Sequence, residues 1–279
     1  MVGIKMKKIG ILLLILSIFL ISGCTQKGGG GGGSGSGIII SSLIVDPPEI
    51  EGGEEVYILM DLQNVGGALA QNIETNLIGL PSGWNIVDHY GNPGQLYPPE
   101  KNIQGELATV QWTLLAPHSN TDIDYPFEVQ VKYSYSTRTE TLIRMVNRDW
   151  LMKLPYNQRE EERKKQGTIT SNVQGGPIQA TVKAASTTGN SVILDIQNIG
   201  GGYPRDNRVI VQYEGMRCNN LGNGQTIELI RGQNKQFRCD VTDLPNGDWQ
   251  WQNVRINVVL TYDYIIKSSS SIKVLGTPV

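Results

Sequence analysis

The stretch VYILMDLQNVGG runs from Val56 to Gly67, and a similar stretch, VILDIQNIGG, runs from Val192 to Gly201. Each is an apolar run that ends in Gln-Asn, an aliphatic residue and two glycines. A second landmark follows each of them, because Tyr133-Ser134-Tyr135 matches Tyr262-Asp263-Tyr264. Two matching landmarks in the same order predict two copies of one fold within the chain.

The segments around the tyrosine landmarks have the two-residue period of half-buried β-strands. Apolar side chains alternate with polar ones from Phe127 to Tyr135 and again from Val254 to Tyr264. One face of each strand is therefore expected to be buried and the other to contact water. From Ile38 onward, short segments rich in Val, Ile, Thr and Tyr are broken by Pro, Gly and Asn. This pattern predicts an all-β fold of two tandem antiparallel β-sandwiches.

The boundary between the two copies is expected where a mixed charge run interrupts the strand pattern. Residues 159–165 read REEERKK and have no apolar partner at strand or helix spacing. They indicate a solvated linker or one short exposed helix, with a partner-docking segment as the alternative. The first domain is predicted at residues 38–146, the charged linker at 147–167 and the second domain at 168–279.

The first 23 residues have the three-part layout of a secretory signal. Three lysines within residues 5–8 precede an apolar run from Ile9 to Ile21, and Ser22-Gly23 follows that run. The run is shorter than the roughly 20 residues that a membrane-spanning helix needs, so a permanent transmembrane anchor is the weaker interpretation. Residues 1–23 are therefore predicted to be a signal peptide.

The sequence Leu20-Ile21-Ser22-Gly23-Cys24 resembles the lipobox of prokaryotic lipoproteins. In that family the cysteine is alkylated with diacylglycerol and the preceding peptide is removed. The resemblance implies that Cys24 is the lipidation site and that the mature chain is anchored in a membrane outside the cytoplasm. A buried or free thiol is the alternative, but Cys24 lies between an apolar leader and a glycine tract with no core to enter. Two acyl chains, at about 0.8 kcal/mol per buried CH₂, would hold the chain durably.

The residues after the cysteine predict a linker, which spans 24–37. Its last ten residues read GGGGGGSGSG. Glycine has the largest conformational entropy to lose and serine adds little to bury, so this tract is expected to remain a coil. A Gly/Ser coil of this length has an r.m.s. span of about 17 Å.

The net charge and the number of cysteines limit which kinds of function the chain can have. Loss of the three leader lysines shifts the formal net charge from −2 to −5, and a mildly acidic chain without a basic cluster is a poor nucleic-acid binder. Of the three cysteines, Cys218 and Cys239 remain after lipidation of Cys24. In an exported compartment these two are expected to form a disulfide, with two unpaired buried thiols as the alternative.

The Asn-x-Gly-Gly segments resemble the CARDB-type immunoglobulin-like domains of bacterial and archaeal surface proteins. The resemblance covers residues 64–73 in the first copy and 198–201 in the second, and the second copy departs from it after Gly202. It implies immunoglobulin-like sandwiches that act in adhesion, spacing or scaffolding, without catalytic residues. Independently of any family, Asn and Gly suit the turn in which a strand leaves one sheet for the other, so a structural role is expected for them.

Trp249 and Trp251 follow the turn Pro245-Asn246-Gly247-Asp248 and are expected to project to one side of a strand. Exposed aromatic pairs can stack on sugars, which makes these two tryptophans the candidate glycan-binding residues. Packing of both rings in the core is the competing interpretation.

The sequence offers little for catalysis or metal binding. His89 and His118 are the only histidines, and neither has the spacing of a zinc site. No nucleophile elbow, phosphate-binding loop or Cys-His pair is present. Two carboxylate groupings, Asp122-Ile123-Asp124 and Asp240-Val241-Thr242-Asp243, could bind calcium but lack the order of a calcium loop, so ordinary solvation is favoured. We expect no enzymatic activity, no cofactor and no metal.

Together these features predict a lipid-anchored binding, adhesion or scaffold module of the cell envelope. Its partners would be the membrane, through diacylglycerol on Cys24, and another envelope protein or a glycan. The alternatives are a carbohydrate-binding surface protein and an accessory subunit of an envelope transporter or filament. The sequence leaves the ligand and the oligomeric state open.

Overall fold

The computed structural model describes residues 37–185, 190–230, 233–245, 247 and 249–277. All of these belong to one compact unit, and strands dominate it, as the all-β prediction requires. In the described part of the chain, no helix is long and apolar enough to cross a membrane. The predicted signal peptide and Cys24 lie outside the described residues, as does the predicted linker apart from Gly37.

Residues 37–146 form eight strands. They are β1 Ile38–Asp46, β2 Glu49–Glu51, β3 Glu55–Asn64, β4 Ala70–Ile78, β5 Asn85–Tyr90, β6 Gly94–Leu96, β7 Leu107–Leu115 and β8 Ile123–Val146. Four of these form a first outer sheet in the order β1-β3-β7-β5. Its pairs are antiparallel, with Ile38 opposite Asn64 and Glu55 opposite Leu115.

Two helices connect the halves, and the described residues of the second half then form nine strands. The elements are α1 Arg148–Lys153, α2 Tyr156–Lys165, β9 Gly167–Val173, β10 Ile178–Ala184, β11 Ser191–Asn198, β12 Tyr203–Pro204, a 3₁₀ turn η1 Arg205–Asn207, β13 Arg208–Glu214, β14 Met216–Cys218, β15 Gln225–Glu228, β16 Asn234–Val241 and β17 Trp251–Leu275. A second outer sheet has the order β10-β11-β16-β14. Its strands correspond one by one to those of the first outer sheet, which agrees with the internal repeat.

A third sheet, which we call the shared sheet, contains strands from both halves. Its order is β15-β13-β17-β8-β4-β6. At its centre β8 and β17 pair antiparallel over their whole length, from Val146 opposite Trp251 to Ile123 opposite Val274. The internal repeat predicts two tandem sandwiches but not this shared sheet.

Each long strand starts in its own half and ends in the other. The first part of β8 pairs with β4, whereas its last part pairs with β9, and Thr139 there donates a hydrogen bond to the Ala180 carbonyl of β10 at 2.9 Å. Reciprocally, the last residues of β17 pair in parallel with β2. Each sandwich is therefore completed by a strand segment from the other repeat, an exchange resembling a domain swap within one chain.

The exchange has an approximate twofold centre. Ser134 lies opposite Asp263, and these are the middle residues of the two tyrosine landmarks. The Ser134 hydroxyl donates to the Asp263 carboxylate at 2.7 Å. Because equivalent residues meet at the centre, Tyr133 pairs with Tyr264 and Tyr135 with Tyr262. This is the geometry of an isologous dimer interface.

The charged segment between the halves is a pair of helices rather than one. Asn147 caps α1, because its side-chain oxygen accepts hydrogen bonds from Asp149 N at 2.8 Å and Trp150 N at 3.0 Å. Leu151 is fully buried, and Arg144 of β8 forms an ion pair with Glu162 of α2 at 2.9 Å. Capping, one buried leucine and ion pairs hold these helices to the sheet, and none of them requires an apolar stripe.

Candidate functional site

The Asn64 turn closes the first sandwich. Asn64 is 0% exposed, and its amide nitrogen donates to the carbonyls of Ala68 and Leu96, each at 2.8 Å. Its side-chain oxygen accepts a hydrogen bond from Gly66 N at 3.0 Å. The side chain is thus occupied in holding the turn, which agrees with the structural role expected for this motif.

The Asn198 turn of the second sandwich is built in the same way. Its amide nitrogen donates to the Gly202 carbonyl at 3.0 Å. Its oxygen accepts from Gly200 N at 3.2 Å and from the Tyr264 hydroxyl at 2.7 Å. Despite the different sequence after Gly202, the second copy keeps the turn chemistry of the first.

Four tyrosines surround the twofold centre on the buried face of the shared sheet. Neighbouring ring centroids are 5.8 to 6.2 Å apart, which is the spacing of favourable tilted and edge-to-face pairs. The members are Tyr133, Tyr135, Tyr262 and Tyr264. We call this group the tyrosine cluster.

The tyrosine hydroxyls bind backbone groups at the start of each sandwich. Ile38 N, in the first residue of β1, donates to the Tyr133 hydroxyl at 3.2 Å. Ile178 N, in the first residue of β10, donates to the equivalent Tyr262 hydroxyl at 3.3 Å. The repeat identifies these tyrosines as equivalent positions but does not indicate that their hydroxyls bind the first backbone groups of β1 and β10. Their matched positions in the two halves were the signal that could have suggested this role.

Burial raises the pKa values of three members of the tyrosine cluster. Desolvation raises the pKa of Tyr135 to about 12 and, as the largest cause, raises those of Tyr133 and Tyr262 above the usual value as well. Unfolded tyrosines ionise near pH 10. Between about pH 10 and pH 12 the unfolded chain therefore binds fewer protons than the folded chain, so stability falls as pH rises.

We therefore expect the chain to unfold cooperatively in alkali. The stabilising contribution of the cluster is complete below about pH 10 and is lost as pH rises through about 12. Tyrosinate absorbance and circular dichroism, followed together, should show the buried tyrosines ionising only with loss of strand signal. Full ionisation of all tyrosines near pH 10 with an intact fold would contradict this account.

A cleft of about 250 Å³ lies beside the start of β1. Gly37, Pro177 and Gly200 line it together with the edge of β17 around Ile266. A Cβ atom on Gly37 would lie 2.8 Å from the Tyr133 hydroxyl, and one on Gly200 would lie 2.5 Å from that of Tyr264. Only glycine fits these positions. The cleft lies where Gly37 leads into β1, between the two outer sheets.

The opposite side of the shared sheet is a polar surface that we call the bare face. Its side chains are half-buried or exposed, whereas the other side of the same strands is buried. Hydroxyl, amide and charged groups predominate there. Its central members are Ser134, Ser136, Arg138, Glu140, Gln212, Asn257, Val259, Thr261 and Asp263.

Three shallow clefts lie on the bare face. Their volumes are about 330, 380 and 400 Å³. Arg138 lines the first, Arg255 the second and Arg205 the third. The three clefts follow the central strands from the twofold centre toward the Val146–Trp251 end, so they form one extended polar surface.

Charges on the bare face are balanced. Arg255 lies 3.0 Å from Glu140, and Arg205 lies 3.9 Å from Asp263. Asn257 donates to Glu214 at 3.1 Å, while the Asn257 side-chain oxygen has no hydrogen-bond partner among the described residues. Such a surface can form hydrogen bonds with a polar partner and has little net charge with which to attract an ion.

The two candidate glycan-binding tryptophans occupy different environments. Trp251 is 48% exposed, and the Arg144 guanidinium carbon lies 4.5 Å from its ring centroid. Trp249 is only partly exposed and packs against the hydrophobic core. The structure therefore presents one exposed tryptophan, with one ring face covered by arginine, rather than a matched pair.

Cys218 and Cys239 form the predicted disulfide. They lie opposite each other on β14 and β16, neighbouring strands of the second outer sheet. The bridge therefore joins strands within one sheet, and it differs from the inter-sheet bridge of antibody domains.

Loss of the bridge is expected to weaken the second sandwich. The cysteines are 21 residues apart, and closing a loop of that size stabilises the fold by about 3 kcal/mol on the chain-entropy model. Chemical denaturation of the Cys218→Ser/Cys239→Ser chain should show this loss. An unchanged free energy of unfolding would mean that the bridge contributes nothing to stability.

The remaining candidates stay separate from one another. Asp122 accepts a hydrogen bond from Gly276 N at 3.0 Å, and Asp240 accepts one from the Ser191 hydroxyl at 2.8 Å. The His89 ring stacks on Trp112 with centroids 5.2 Å apart, and His118 lies against Gly52. Among the described residues, no group of three or more His, Cys, Asp or Glu side chains could hold a metal ion.

No protein-family model matches the chain, and no curated protein matches it. Solved structures with some similarity include the secreted serine protease VesC from Vibrio cholerae, at 8% identity, with 82% of this chain and 49% of that chain covered and a TM-score of 0.21. This chain thus spans about half of that structure. The collagen adhesin CNA from S. aureus is similar at 12% identity, with 88% and 93% covered and a TM-score of 0.15. TM-scores this low support no argument about fold or function.

Proposed function

We propose that this chain is a lipid-anchored module of the cell envelope that binds or holds another envelope component and has no catalytic activity. The lipidation signal at Cys24 supports the anchor. The exchange between β8 and β17 is the observation that supports the rest. It ties the two halves into one body, because neither sandwich is complete without a strand segment from the other.

The bare face is the surface that we assign to the partner. It runs from the twofold centre toward the Val146–Trp251 end and includes residues of both β8 and β17, and its paired charges, hydroxyls and amides suit a polar partner. Interfaces of this kind gain specificity from hydrogen bonds more than from apolar area.

Photo-crosslinking in the native cells tests this assignment. A photoreactive amino acid at Thr261, on the bare face, is expected to give one discrete adduct with an envelope component. The same group at Gln111, on the outward side of the first outer sheet, is the matched control and should give none. Equal adducts from both positions, or none from Thr261, would contradict the assignment.

The lipid anchor has its own test. Mass spectrometry of the N-terminal peptide of the native protein should show Cys24 as the first residue with diacylglycerol attached. An intact leader with an unmodified thiol would contradict the anchor and leave the binding assignment in place.

Binding of a carbohydrate is the alternative function, and the exposed ring of Trp251 favours it. Trp251→Ala removes the exposed ring, and Arg144, which covers its other face, stays in place. If sugars are the ligands, this variant should lose binding on a glycan array while keeping the native circular dichroism. Binding that persists in the variant would exclude this residue as the sugar contact.

A further inference from the structure

The chain enters the folded body at the middle of the β8–β17 pair. Ile38 N donates to the Tyr133 hydroxyl, and Val65 N donates to the Gly37 carbonyl at 2.9 Å. Tyr133 lies near the midpoint of β8, between Ile123 and Val146. Any segment that precedes Gly37 is therefore attached at the centre of the body and not at one end.

The paired strands β8 and β17 set the length of the body. β8 has 24 residues, and at about 3.3 Å per residue the pair extends roughly 80 Å. Each tip therefore lies about 40 Å from the point where the chain enters. One tip is the Ile123–Val274 end, and the other is the Val146–Trp251 end, where α1 begins.

The covalent connection to Cys24 is short by comparison. Thirteen peptide links join Cys24 to Gly37, and whatever their conformation they span at most about 45 Å. If the body stood on one tip, Gly37 would be raised about 40 Å above the lipid, which requires a nearly straight connection. Chain entropy strongly disfavours that arrangement.

The side of entry fixes which surface is turned outward. Gly37 lies beside Pro177 and Gly200, on the side of the shared sheet that carries both outer sheets. The bare face is on the opposite side of the same strands. A short connection attached at Gly37 therefore places the side of the shared sheet that carries the outer sheets toward the lipid.

We propose that the mature protein lies side-on, with the β8–β17 axis along the membrane, both tips at similar height and the bare face turned away from the lipid. This inference rests on the lipid anchor at Cys24 proposed above. In this orientation the gap between the outer sheets faces the bilayer, and the whole bare face is open to a partner.

Energy transfer from single labels to acceptor lipids tests this orientation. The lipidated chain, reconstituted in vesicles of neutral phosphatidylcholine, would carry one donor at Asn120→Cys, Arg148→Cys or Thr261→Cys. The first two positions mark the tips, and the third marks the bare face. We expect similar transfer from both tips and weaker transfer from the bare face, whereas equal transfer from all three positions would show a freely swivelling body and overturn the side-on orientation.

The outcomes separate the two proposals. Strong transfer from one tip together with none from the other would show a body standing on end and overturn the side-on orientation. Stronger transfer from Thr261→Cys than from both tips would show the bare face against the lipid and also overturn it. Failure of the chain to bind vesicles at all would contradict the anchor itself, and with it this inference.

Discussion

Replacing Ile272 with alanine is expected to lower the free energy of unfolding by about 3 kcal/mol. Ile272 is 0% exposed, so the smaller side chain would leave a cavity. The residue belongs to the second repeat in sequence, yet it lies in the last part of β17, which pairs with β2 and contacts β1. We therefore expect the damage to appear in the first sandwich.

Hydrogen exchange can locate that damage. In the Ile272→Ala chain, amides of β1 and β3 should exchange faster, while those of β11 should change less. The reciprocal variant Ile143→Ala removes a fully buried side chain of β8 and should weaken β10 and β11 instead. If each substitution loosened only its own repeat, the exchange of strand segments would be wrong.

Replacing Asn64 with alanine is expected to cost roughly 4 kcal/mol. The substitution leaves Gly66 N and the carbonyls of Ala68 and Leu96 without their partner in a site that is 0% exposed. Each buried polar group left unsatisfied costs about 1 to 3 kcal/mol. Urea unfolding monitored by tryptophan fluorescence would measure the loss.

Gln63→Ala is the control for the Asn64 substitution. Gln63 is the preceding residue of the same strand, and its amide makes only a weak 3.4 Å contact with the Gly105 carbonyl. The control should lose less than about 1 kcal/mol. Equal losses from the two substitutions would mean that the hydrogen bonds of Asn64 do not hold the turn.

The strands and the repeat could be predicted because both are written in local patterns. Alternation of apolar and polar residues specifies a strand with one buried face, and the repeated Asn-x-Gly-Gly segment marks equivalent turns. The disulfide could be predicted from composition, because an exported chain leaves Cys218 and Cys239 as the pair.

The strand exchange could not be predicted from the same patterns. The alternation in β8 continues past Tyr135 through Thr137, Thr139 and Thr141 to Ile143, longer than one sandwich needs. Its length was a signal, but alternation specifies only which face is buried and not which sheet buries it. Because threonine is polar, the sequence pattern also predicts that these threonines face solvent. They are buried because hydroxyl bonds, such as that of Thr137 to Tyr262 at 2.6 Å, satisfy them.

Helix α1 and the bare face were missed for different reasons. The segment 148–165 lacks an apolar stripe, and its helices depend on a cap, on Leu151 and on contacts such as Arg159 with the carbonyls of Met152 and Leu154. The bare face consists of polar positions from distant strands. Those positions become one surface only once β8 and β17 pair, which no local pattern specifies.

A cysteine pair placed across β8 and β17 tests the exchange most directly. Glu128 lies opposite Ser269, so in a Cys24→Ser background the Glu128→Cys/Ser269→Cys chain places two thiols at a Cα separation of about 5 Å. We predict a disulfide within the monomer, identified by peptide mapping under non-reducing conditions. A Glu128→Cys/Asn253→Cys chain should form none, because Asn253 lies opposite Arg144. Free thiols in the first chain, with the native Cys218–Cys239 bridge intact, would contradict the shared sheet.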